Sequence, residues 1–139
     1  MNAIDEIRER LRKYPDVPLQ IIGNTATVPP ASDTGFTVSL VDNAPQQQYI
    51  VSFDGWHEEY DDAERALEAF GFGLSDACRL RVGYRGTFAY VWTVEEKTES
   101  GEWAECGWIG CCTTGLLVAP FWRKKREVCL QNTLRKTGG

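Results

Sequence analysis

The chain has 139 residues, 42% of them hydrophobic and 25% charged, which suits one soluble domain that buries roughly 70% of its unfolded surface. A net charge of −5 and a pI near 4.9 lack the basic excess of a nucleic-acid-binding surface. No apolar run approaches the ~20 residues that span a bilayer. The first residues are charged and amphipathic, unlike a secretory signal, so the expected location is cytoplasmic.

Residues 2 to 14 read as the first helix. Asn2 is placed to cap it, and Ile4, Ile7, Leu11 and Tyr14 share one apolar face. Asp5 and Glu6 open it while Arg12 and Lys13 close it, matching the helix dipole. Pro15 ends it. Leu19 to Ile22 and Thr25 to Val28 then flank Gly23-Asn24, a two-residue hairpin turn with glycine first. Phe36 to Asp42 and Gln47 to Phe53 alternate apolar and polar residues around the turn chemistry of Asp42-Asn43-Ala44-Pro45, a second hairpin.

The central stretch, Phe53 to Phe72, leaves a strand through Asp54-Gly55, crosses His57 and enters a second helix. Asp61 and Glu64 have the spacing of a capping box. Ala63, Ala66, Leu67 and Phe70 form one stripe, with Gly71 and Gly73 as stop signals. In this reading Trp56 and His57 belong to the turn between strand and helix.

Cys78 to Arg85 alternates Cys78, Leu80, Val82 and Tyr84 with Arg79, Arg81, Gly83 and Arg85, a half-buried strand with an arginine-bearing face. Thr87 to Glu95, Trp103 to Ile109, Thr114 to Ala119 and Glu127 to Gln131 follow as strands, and residues 132–139 read as a flexible tail. Short connections and alternation favour antiparallel pairing. The expectation is a single α+β domain over residues 1–139. An N-terminal helix and one central helix pack on a curved, mainly antiparallel sheet of about seven to nine strands.

Three constellations could carry chemistry. His57 beside Glu58 and Glu59 could act as an acid–base pair, although HEE lacks the i,i+4 spacing of HExxH. Cys106, Cys111 and Cys112 are spaced C-x4-C-C, which is not a zinc pattern, and an odd count of five cysteines without a secretion signal suits reduced packing residues. No metal, disulfide or cofactor is therefore expected. Arg79, Arg81 and the run Arg123-Lys124-Lys125-Arg126 could bind an anion or a nucleic acid, against the net charge. Phosphate-binding glycine fingerprints and the GxSxG elbow are absent.

The stretches FDGWHEEYDDAERALEAFGFGLSDACRLRV and GLLVAPFWRKKREVCLQN resemble a family of small uncharacterised bacterial proteins with an FDGWHE…FGLS…FWR…LQN pattern, over roughly residues 50 to 132. The resemblance implies a soluble bacterial domain and brings no established activity. The helix and strand order also resembles the small acidic chaperones of type III secretion, but a third helix is missing and the chain ends in strands. The reading that follows is a non-enzymatic binding or protein-interaction module, a homodimer, with Trp56, His57, Trp92, Trp103 and Trp108 as binding residues. The rivals are a small enzyme built on His57 with Glu58 or Glu59, and an anion or nucleic-acid binder using the arginines.

Overall fold

A computed structural model describes residues 2–30, 32–85, 88–110 and 125–132. Helix α1 spans Ala3–Arg10, and Asn2 caps it as expected, its Oδ1 accepting from the Asp5 amide at 2.8 Å. The last turn tightens into a 3-10 helix over Leu11–Lys13 instead of running on to Tyr14, as helix ends often do. Ile4 and Ile7 bury against the sheet that follows. Asp42 fixes that docking. It is buried, and its two carboxylate oxygens accept from the Ala3 and Ala44 amides, each at 3.0 Å.

Strands β1 (Gln20–Ile22), β2 (Thr25–Val28), β3 (Val38–Asn43), β4 (Gln48–Phe53) and β5 (Trp56–Tyr60) form an antiparallel meander in sequence order. Gly23 supplies the left-handed turn residue between β1 and β2, with φ at +59°. Asp54 does the same between β4 and β5, with φ at 50°, while its side chain accepts from the Thr37 amide at 2.9 Å. That turn corrects the reading of Trp56 and His57 as a passage from strand to helix: they begin a fifth strand, with Phe53 opposite Trp56 and Ser52 opposite His57. The physical reason is register. Strand β5 alternates Trp56, Glu58 and Tyr60 with His57 and Glu59, and an edge strand tolerates such charges.

Helix α2 covers Ala63–Leu74. Its N-cap is Asp62, which accepts from the Glu64 amide at 3.0 Å, so the capping box on Asp61 does not form. Glu64 instead reaches Arg10 of α1 at 3.2 Å. The helix also runs past Gly71 and Gly73. Gly73 is needed for contact, not for termination, since a Cβ there would run into the Phe53 ring.

Strands β6 (Cys78–Arg85), β7 (Phe88–Lys97), β8 (Trp103–Gly110) and β9 (Lys125–Leu130) make a second antiparallel sheet in the order β8-β7-β6-β9. The fold is thus α+β, with two helices packed against antiparallel strands. The nine strands among the described residues are divided between two sheets and not continuous in one. The strand expected at Thr114 to Ala119 lies outside the described residues.

The core lies between the sheets and α2. Val38, Leu40, Val51 and Phe53 enter it from the first sheet, Leu80, Val82 and Val94 from the second, and Phe70 and Leu74 from the helix. Asn132, read as the start of a flexible tail, is only 3% exposed. Its Oδ1 accepts from the Phe36 amide at 3.1 Å, and its Nδ2 donates to the Phe36 and Gly73 carbonyls at 3.0 and 3.1 Å. One side chain therefore ties the end of β9 to the entry of β3 and the end of α2.

Candidate functional site

Where β5 passes β7 and β8, the two sheets meet beneath the outer side of α2, leaving a cleft of about 360 Å³. Its deep wall is apolar. Phe53 and Trp56 come from the first sheet, Ala69 and Phe72 from α2, and Val94 from β7. Trp56 is buried, and its ring stacks on Phe53 with centroids 4.8 Å apart. The rim is charged, with Glu58 and Tyr60 on β5, Arg65 and Glu68 on α2, Glu96 on β7 and Cys106 on β8. The alternation of β5 and β7 explains this membership. Trp56, Glu58 and Tyr60 share one face, as do Val94 and Glu96, because side chains repeat every second residue in a strand.

Three carboxylates face one guanidinium at this rim. Tyr60 donates its hydroxyl to Glu58 Oε2 at 3.0 Å, and the Arg65 guanidinium lies over the Tyr60 ring, 5.8 Å from its centroid. Burial, and then the bond to Glu58, pushes the Tyr60 phenol up to about 12. Burial, followed by Glu96 and Glu58, pushes the Cys106 thiol up to about 11. Both groups therefore stay protonated at neutral pH. A cysteine nucleophile needs the thiolate, and this rim opposes it.

The other predicted site residues do not converge here. His57 and Glu59 leave β5 on the face opposite the cleft, so His57 and Glu58 are neighbours in sequence but not across one surface. Trp92 packs under the β4–β5 turn, where a Cβ on Gly55 would run into its indole. Trp103 stands on the far face of the second sheet with the Arg79 guanidinium 4.5 Å from its ring centroid. Trp108 pairs with Thr93 in the register of β7 and β8.

Arg79 and Arg81 both turn to Glu95, a carboxylate only 5% exposed, at 2.8 Å and 3.5 Å. Arg123 and Lys124 lie outside the described residues, as do Cys111 and Cys112. Among the described residues, no group of three or more His, Cys, Asp or Glu side chains is placed to hold a metal ion. Nor is any helix among them long and apolar enough to cross a membrane.

Sequence reasoning passed over Glu68, Glu96, Tyr60, Arg65 and Phe72 as site residues. The available signal was the Asp54-Gly55 hairpin, which turns Trp56, Glu58 and Tyr60 into one strand face. Comparison with protein-family models, with curated proteins and with solved structures finds no match.

Proposed function

We propose that this chain is a non-enzymatic binding domain whose ligand occupies the cleft between α2, β5, β7 and β8. The observation that carries the reading is the combination of an apolar aromatic wall with a few polar groups at its rim, the make-up of small-molecule sites. Binding is favoured over catalysis by the chemistry of the rim. Cys106 and Tyr60 are held protonated, and His57 is on the opposite face of its strand.

A cleft-filling substitution tests the proposal. Ala69 is half-buried on α2, packs against the edge of the core and lines the cleft, so the Ala69→Trp side chain should fill the cleft from the helix side against Phe53, Trp56 and Val94. In a ligand-observed NMR screen of small aromatic fragments, hits on the wild-type chain should vanish in the Ala69→Trp chain while far-UV circular dichroism is retained. A well-folded variant that keeps every hit would place ligand binding elsewhere.

A further inference from the structure

We infer that the cleft is selective for a small organic cation, an ammonium or guanidinium group carried on an apolar stem; the inference rests on the cleft being a binding site. Charge complementarity points this way first. Glu58, Glu68 and Glu96 surround the opening against Arg65 alone. Among the described residues neither Glu68 nor Glu96 makes an ion pair. Their charges remain available to a ligand, and low-dielectric walls focus such a field.

The second observation is independent of the carboxylates. The cleft is walled by aromatic rings, and at Tyr60 the chain already seats a cation on a ring face, its own Arg65 guanidinium. Aromatic faces attract cations through the ring quadrupole, and carboxylates beside them sharpen the preference. Phe72 and Trp56 extend the same wall inward and would take the apolar stem. A volume of about 360 Å³ exceeds the space of roughly ten waters, which is room for one ring and a short chain. The raised Cys106 thiol reports the same negative field, since Glu96 and Glu58 act on it after burial does. An anionic ligand would meet that field unfavourably.

The test is an amide-detected NMR titration of the full chain at low salt with three probes of one shape: phenethylammonium, phenethyl alcohol and phenylacetate. Phenethylammonium should shift the amides of Tyr60, Ala69 and Cys106 with a Kd of about 1 mM, about tenfold tighter than phenylacetate. Glu68 and Glu96 are exposed, and each ion pair at such a site is worth up to about fivefold. The double variant Glu68→Gln, Glu96→Gln should therefore lose about tenfold for the cation and nothing for the alcohol. Equal binding of the alcohol or of phenylacetate at those amides overturns cation selectivity and leaves the cleft a ligand site. An absence of shifts there from all three probes up to about 10 mM overturns both.

Discussion

Asn132 offers the sharpest perturbation of the fold, because a single amide joins three parts of the chain. Asn132→Ala removes three hydrogen bonds, to the amide and carbonyl of Phe36 and to the carbonyl of Gly73. The site is only 3% exposed, so water reaches the abandoned groups poorly. A hydrogen bond contributes about 1 kcal/mol net, and a buried partner left unsatisfied costs about 1–3 kcal/mol. Three such bonds put the loss at about 3–5 kcal/mol, a large share of the stability of a domain this size.

Urea unfolding followed by tryptophan fluorescence measures the loss. With a slope of roughly 1.5 kcal/mol/M, the midpoint should fall by about 2–3 M. Asn132→Asp keeps the shape but replaces the donor serving two carbonyls with another acceptor, and at pH 7 it should be at least as damaging as Ala. A loss below about 1 kcal/mol for Asn132→Ala would refute the claim that this amide fastens β9 to β3 and α2.

Two adjacent residues of β5 should behave very differently. Trp56→Ala removes a buried ring stacked on Phe53 and should cost about 3–5 kcal/mol, whereas the exposed His57→Gln should stay within about 0.5 kcal/mol; comparable losses in urea would contradict the assigned strand register. Cys106, with its thiol raised to about 11, should alkylate slowly. At pH 8 the drop in thiolate relative to an ordinary cysteine is about 200-fold, partly offset by the greater nucleophilicity of the more basic thiolate, which leaves roughly 10–20-fold. Mass spectrometry of iodoacetamide-treated native and urea-unfolded protein reads this site by site. The native rate should climb until about pH 11, and a rate equal to that of the unfolded chain at pH 8 would contradict the burial and the carboxylate field that together raise this thiol.

Local rules were legible where local physics decides. Asn2, Gly23 and the apolar face of α1 each did what their side chains favour. The N-cap of α2 moved by one residue, from Asp61 to Asp62, because adjacent aspartates offer the same chemistry and tertiary contact chooses between them. Glu64 was read as a capping partner, but Arg10 of α1 provides a distant counter-charge. Gly73 read as a helix stop, and only the proximity of Phe53 reveals why a side chain is excluded. The division into two sheets depends on where α2 returns the chain, a long-range outcome that alternation does not encode. The cleft was least legible of all. It collects residues from Phe53 to Cys106 across five elements, none of which carries a sequence motif.

The most direct measurement is a crystal structure of the chain soaked with phenethylammonium chloride. The aromatic ring should lie against Phe72 and Trp56, with the ammonium nitrogen within hydrogen-bonding distance of Glu68 or Glu96, about 2.7–3.2 Å. Ligand density in the smaller groove between α1 and α2, beside Leu11 and Phe70, with the cleft free of it, would mean that the cleft is not the cation site.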